Sequence, residues 1–412
     1  MMKFKKLILL TATYPYDTGE SFIENEIEVI TKYCDKLIVI PMKNSKKSSH
    51  RLNGINGVEI IKLNSGLLDY IFAAVKVLIS RNVRREIDRI KKQGKLNVYT
   101  LLSIVCFYCK GETKIKKLSE LLEDDLKGEN NLIYSYWSGT PAYVAAGIKR
   151  RYPKCCCVTR AHGYDIYQEN LAPYYIPFKD DTFATMQAIF SASIRGCEYL
   201  QRKFPNIKEK IFKSYLGTMD YGINPDRREG IFRIVSCSNV IAIKRIDRII
   251  NSLSLMKHEI TWEHYGDGPL MDDMIALAAK LPKNIKYEFK GRCSNKELMK
   301  IYARKHIDLF INVSESEGLP VSIMEACSFG IPIIATDVGG NREIVQDGGN
   351  GYLLPETCSV ADIAKLINRF ISLPMQDVLL MRSNAREIWE NNFMAKKNYE
   401  DFFQLLLKEM RN

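Results

Sequence analysis

No apolar run in this 412-residue chain reaches the roughly 18–20 residues that a membrane-spanning helix needs, so none is expected. A signal peptide is not expected either. Lys3-Phe4-Lys5-Lys6 precedes a short apolar stretch, residues 7–10, but polar Thr11, Thr13 and Tyr14-Pro15 follow at once, and a first core strand is the better reading. Carboxylates spaced to hold a divalent metal are missing as well. There is no Asp-x-Asp, and Asp124-Asp125, Asp180-Asp181 and Asp272-Asp273 are adjacent, so the side chains of each pair point different ways. No metal and no cofactor are therefore expected. The 11 cysteines are odd in number and scattered, which argues against a disulfide framework and for a reducing cytosol. Cys106-Phe107-Tyr108-Cys109 lacks a second cysteine pair and a nearby histidine, and Cys155-Cys156-Cys157 lies in a strand-like stretch; buried small side chains explain both. Recognition-helix, zinc and RNA-binding signatures are absent, so nucleic acid is not an expected partner despite the net charge of +12.

The 46% hydrophobic and 26% charged content is that of an ordinary globular protein, and the length exceeds what one core holds. Strand-like runs at residues 6–11, 36–41, 132–136, 156–161, 188–192 and 211–215 alternate with helical stretches. Residues 217–230, with glycines, Pro225 and mixed charges, read as a linker. A second alternating series follows, with strands at 232–237, 261–265, 285–290, 308–312 and 331–336. The expected fold class is α/β, with two Rossmann-like doubly wound domains facing across a cleft. Their expected limits are residues 1–222 and 223–394, with a C-terminal helix at 395–412 that packs back on the first domain. The densest basic stretch, residues 76–95, includes Arg81, Arg84, Arg85, Arg89, Lys91 and Lys92 and is flanked by apolar runs at 67–79 and 96–109. It reads either as a solvated helical face or as a contact for an anionic membrane surface.

The most informative stretch is 312–345, NVSESEGLPVSIMEACSFGIPIIATDVGGNREIV. It reads as a strand end, a polar turn with Glu317-Gly318, a helix carrying Glu325, a second strand and the turn Val338-Gly339-Gly340. Such units place ligands at the carboxyl ends of parallel strands. An unpaired carboxylate at Glu325, on a helix inside an apolar segment, would be costly, so it needs a partner.

This stretch resembles the E-x7-E signature of the retaining glycosyltransferases of family 4, and its frame matches almost position for position. The resemblance implies the GT-B fold, a nucleotide-sugar donor bound by the second domain and a glycan or lipid-linked acceptor bound by the first. It implies that Glu325 accepts from the ribose hydroxyls and that Glu317 lies beside the transferred sugar, with the Gly318 and Leu319 backbone facing phosphate or sugar. Ser238–Arg245 is similar to the family's GRLxxxKG element, which grips the leaving diphosphate. Lys244 falls on the family lysine, whereas Asn239 stands at the family arginine and Arg245 at the following glycine. Gly266 and Asp267, in Tyr265-Gly266-Asp267-Gly268-Pro269, match a turn bordering the nucleotide, and Gly291 matches the glycine beside the base.

In the first half, His162 in Thr159-Arg160-Ala161-His162-Gly163-Tyr164-Asp165 is similar to the family's HGxD element, which lines the cleft beside the donor sugar. Residues 14–26 resemble the opening of enzymes that build bacterial capsule and exopolysaccharide, with Gly19 as a close-approach glycine. Glu20 there reads either as an acceptor-side acid or as a helix-start residue. Tyr136-Trp137 takes the place of an aromatic pair under the acceptor, though core packing explains it equally. Taken together, the expectation is a retaining, metal-independent hexosyltransferase of cell-surface polysaccharide assembly, cytoplasmic or at the inner membrane face. A sugar-nucleotide epimerase of the same fold and an inactive sugar-nucleotide-binding subunit are the alternatives.

Overall fold

The structure, a computed structural model, describes residues 3–16, 18–43, 52, 55–170, 175–226 and 230–409. It divides into two compact units, Met1–Ser214 with Tyr399–Asn412, and Tyr215–Asn398.

The first unit is built on seven strands: β1 (Phe4–Thr11), β2 (Cys34–Pro41), β3 (Val58–Ile60), β4 (Asn131–Ser135), β5 (Cys156–Ala161), β6 (Ala188–Ser191) and β7 (Ile211–Lys213). They pair in the order β3-β2-β1-β4-β5-β6-β7, and every pairing is parallel. A parallel sheet is covered on both faces, so its strands read as continuous apolar runs. Leu7, Ile8, Leu9 and Leu10 are all fully buried. Strand order reverses between β1 and β4, which opens the sheet's carboxyl edge at the loops beginning with Ala12 and Tyr136. Four helices fill the chain between β3 and β4: Leu67–Ile79, Arg81–Lys92, Val98–Leu121 and Glu123–Lys127. Ser80 and Asn97 cap two of them, each side chain accepting from a first-turn N–H, of Val83 and Thr100.

A charged group lies at the centre of this unit. Arg160 on β5 is fully buried; its Nε donates to the Tyr134 hydroxyl at 2.7 Å, which donates to Glu26 at 3.0 Å. Arg160 also lies 3.5 Å from Glu26 and donates to the Ser214 carbonyl at 3.3 Å. Burial works against its charge, but Glu26 and the surrounding tyrosines outweigh that and keep it protonated. The last helix, Ala395–Glu409, closes the cage: Phe402 lies 4.5 Å from the guanidinium, and Phe403 stacks on Tyr33 at 4.9 Å.

The second unit has six strands: β8 (Phe232–Cys237), β9 (Ile260–Tyr265), β10 (Ile285–Gly291), β11 (Leu309–Asn312), β12 (Ile333–Thr336) and β13 (Gly351–Leu354). Their order is β10-β9-β8-β11-β12-β13, again parallel throughout. Ile234, Trp262, Ile311 and Ile334 from the sheet pack with Ile250 and Ile367 from its helices. The order reverses between β8 and β11, so the loops after these two strands meet at the carboxyl edge. Both sheets are thus Rossmann-like, as the alternating pattern predicts. Two short strands, β3 and β13, were not expected.

Candidate functional site

In the second unit, the loops after β8 and β11 carry the central pair. Lys244 sits in the short turn Ala242–Lys244, and its ammonium donates to both Glu317 oxygens, at 2.7 and 2.8 Å. Asn312, the last residue of β11, donates to the same carboxylate at 3.1 Å. The Glu317 side chain is only 7% exposed, so its charge is held by these two partners rather than by water. An ammonium has three N–H groups, and Glu317 takes two, leaving one directed elsewhere.

The backbone of this loop is held from behind by the turn after β12. Gly339 has φ of +54°, and a Cβ there would lie 1.9 Å from the Glu317 carbonyl oxygen. The Gly340 N–H donates to the Gly318 carbonyl at 2.6 Å, and Leu319 is buried beside it. The glycine pair therefore serves the position of Glu317 and Gly318.

Glu325 lies on the helix Val321–Ser328, buried, with Asn295 donating to it. Burial pushes its carboxyl up to about 7, while the Asn295 bond pulls the other way. No cation pairs with it among the described residues. Asn295, which opens the helix Asn295–Arg304, has no sequence signal beyond its place beside the capping residue Ser294.

Arg245 is oriented by acids rather than left open. It adopts φ of +51°, donates to both Asp247 oxygens at 3.0 Å, and forms an ion pair with Glu315. Asn239, at the position of the missing arginine, is exposed. Gly266 and Gly268 approach backbone, not open space: a Cβ on Gly266 would lie 1.8 Å from the Ser238 carbonyl oxygen, and one on Gly268 would lie 2.4 Å from that of Val240. The Asp267 carbonyl accepts from Val240 N–H at 3.0 Å, so this turn buttresses the loop after β8. Gly291 ends β10 with φ of +66° and nothing near its missing side chain.

In the first unit, His162 follows β5 and is 9% exposed. Its Nε2 lies 3.0 Å from the Tyr136 carbonyl oxygen. A carbonyl only accepts, so Nε2 carries the proton and Nδ1 keeps its lone pair. Burial and the Arg160 charge push the imidazole down to about 3, so it is neutral at physiological pH. Tyr136 stacks on it at 5.3 Å and Trp137 lies 4.6 Å away. Asp165 accepts from the His162 N–H at 2.6 Å and from the Ser138 N–H, while Lys179 donates to its carbonyl and to Ser138 Oγ. Asp165 is thus a brace for the His162 loop. Lys179, which no motif signalled, is buried, and burial lowers its ammonium to about 8.

Glu20 is also a brace. Its carboxylate accepts from the Ala12, Thr13 and Tyr14 N–H groups at 3.0, 2.6 and 2.6 Å, from Thr13 Oγ1 at 3.1 Å and from Trp137 Nε1. Read from sequence as an acceptor-side acid or a helix-start residue, in the structure it staples the loop after β1 through these donors. Gly19 lies next to it in the turn Thr18–Ile23. The expected aromatic pair splits: Tyr136 is fully buried as core, whereas Trp137 lines a cavity.

Residues 225–391 match the family described as Glycosyl transferases group 1. The GtfA subunit of a UDP-N-acetylglucosamine–peptide N-acetylglucosaminyltransferase from Streptococcus gordonii is 27% identical over 52% of this chain and 43% of its own length. Protein CapJ of Staphylococcus aureus is 34% identical over 32% of this chain and 31% of its own. The chain thus spans less than half the length of these curated relatives. Among solved structures, Anabaena HepE in complex with UDP and glucose superposes with a TM-score of 0.68 at 15% identity, covering 98% of this chain and 100% of that one. The fold is therefore GT-B, and the match to the glycosyl transferases group 1 family extends over residues 225–391, the second unit.

Proposed function

We propose that the chain is a retaining, metal-independent glycosyltransferase that moves a hexose-type sugar from a nucleotide-sugar, UDP-linked in the first instance, to a growing glycan or glycolipid of a cell-surface polysaccharide. The observation that carries this reading is the Lys244–Glu317 pair at the switch point of the second sheet, with buried Glu325 on the helix that follows. The remaining Lys244 N–H donates to the leaving diphosphate and stabilises the charge that develops there. Glu317 receives sugar hydroxyls, and Glu325 accepts from the ribose. The acceptor proton passes to the leaving phosphate oxygen on the same face, which retains configuration. Neutral His162 contributes as a hydrogen-bond acceptor through Nδ1 and not as a cation.

A peripheral location at an anionic membrane surface belongs to the same reading. Helix Leu67–Ile79 exposes Leu67, Leu68, Phe72, Val75 and Leu78, and the following stretch exposes Val98, Tyr99 and Leu102. Lys76, Arg81, Arg84 and Arg85 are exposed among them. Apolar side chains ringed by cations complement a bilayer with anionic headgroups. No helix among the described residues is long and apolar enough to cross a membrane.

The experiment is a panel of UDP- and GDP-sugars, following nucleotide release with and without lipid-linked acceptor extract, with the anomeric configuration of the product read by NMR. Acceptor-dependent release with retention is expected. Free UDP with an altered sugar would make the protein an epimerase, and binding without turnover a donor-binding subunit.

A further inference from the structure

A cavity of about 570 Å³ opens at the carboxyl edge of the first sheet, and its lining is electrostatically one-sided. Lys43, just past β2, and Lys110 and Lys114, on helix Val98–Leu121, all face into it. Lys110 and Lys114 are four residues apart, which stacks their ammonium groups on one helix face. None of the three has a carboxylate partner among the described residues. Lys114 is half-buried, and burial together with Lys110 pushes its ammonium down, as two adjacent cations lacking an anion require. The one carboxylate in the lining, Asp165, already accepts from the His162 and Ser138 N–H groups. Ser65 Oγ also lines the cavity, buried and without a hydrogen-bond partner among the described residues. A hydroxyl and three cations against one carboxylate, whose oxygens are already engaged by backbone N–H groups, leave the lining net positive and suited to an anion. Apart from Thr140 and Tyr164 the rest of the lining is largely apolar, with Met42, Leu63, Tyr70 and Pro141 beside the indole of Trp137. Tyr70 belongs to helix Leu67–Ile79, so the cavity's apolar wall continues into the exposed apolar helix.

We propose that this cavity binds a phosphate or diphosphate group carried on an apolar chain, and that this group is the anionic end of the acceptor. The lysines and Ser65 hold the phosphate oxygens, and the apolar wall holds the first units of the chain. This rests on the transferase reading only for the word acceptor; the binding site stands on its own geometry.

Trp137 reports occupancy by fluorescence, since Trp262 and Trp389 lie in the second unit. The protein is titrated with farnesyl diphosphate, farnesol and inorganic pyrophosphate. Farnesyl diphosphate is expected to bind more tightly than either fragment. The Lys110→Gln/Lys114→Gln variant is expected to weaken it about tenfold or more, the loss of two charge-assisted bonds. The Lys110→Arg/Lys114→Arg variant, which keeps the charge, is expected to restore most of the binding, and thermal melts check that both variants fold. Equal binding by wild type and the Gln variant, or farnesol binding as tightly as its diphosphate, would overturn the site; pyrophosphate binding as tightly as farnesyl diphosphate would reduce it to a free-phosphate site. Binding as expected without sugar transfer to any acceptor would sink the transferase reading and leave the site standing. Sugar transfer with no binding or competition by farnesyl diphosphate would do the reverse.

Discussion

Glu325 is the residue whose chemistry is most exposed to test. Its carboxyl is raised from 4.5 to about 7 by burial. Between those values the folded protein keeps a proton that the unfolded chain has released, so stability falls as pH rises through that window. The loss is on the order of 3 kcal/mol by linkage, and Glu325→Gln is expected to flatten it, read as melting temperature against pH. Ribose hydroxyls donate to the ionised form, so UDP binding near pH 7 is expected to release protons. Calorimetry in two buffers of different ionisation enthalpy measures that release, and none would remove Glu325 from the ribose. For Lys244→Met, turnover is expected to drop roughly 100-fold or more, the scale of losing one preorganised charge stabiliser. A steady-state assay showing wild-type kcat would remove Lys244 from the reaction. The motif residues were legible because glycine and glutamate spacing survives in the chain order. Some of their partners were not: Asn295 meets Glu325 from 30 positions away with no motif to mark it, and Glu20 looks the same in sequence whether it faces an acceptor or staples Ala12 to Tyr14.

At the scale of elements, the turn after β12 is expected to be intolerant. Gly339→Ala adds a methyl against the Glu317 carbonyl at a backbone angle that side chains resist, costing about 2 kcal/mol or more. Its signature is a raised KM for donor together with lower chemical-denaturation stability. The helix Leu67–Ile79 carries the opposite expectation. Leu68→Glu/Phe72→Glu/Leu78→Glu touches no core and is expected to leave the melt unchanged. The partition coefficient onto vesicles of anionic lipid, read by sedimentation, is expected to fall about 1,000-fold or more, given about 1.5–3 kcal/mol for each of three large apolar groups; unchanged sedimentation would refute the membrane face. Long strands such as β1 and β8 announce themselves as apolar runs buried on both faces. Residues 58–60 and 351–354 are too short for periodicity to show, and they are strands only because β2 and β12 offer a free edge.

On the scale of the whole molecule, the first unit is made from both ends of the chain. Glu26, Tyr134 and Arg160 come from its early and middle segments, and Phe402 and Phe403 from its last helix. Phe402→Ala is expected to cost about 3–4 kcal/mol, because it opens a cavity beside a buried guanidinium. Differential scanning calorimetry reads this as a lowered transition of the first unit with that of the second unit unmoved. The tail helix was visible in sequence, but not the charge it covers.

That shared construction orders events during synthesis. As the chain leaves the ribosome, the second unit, residues 215–398, is complete before Phe402 and Phe403 emerge. Until then Arg160 and Glu26 are a charged pair without their apolar cover, so the half begun first is the half finished last. A nascent chain stalled with residue 398 just outside the exit tunnel is therefore expected to protect the second unit from protease while the first is still cut.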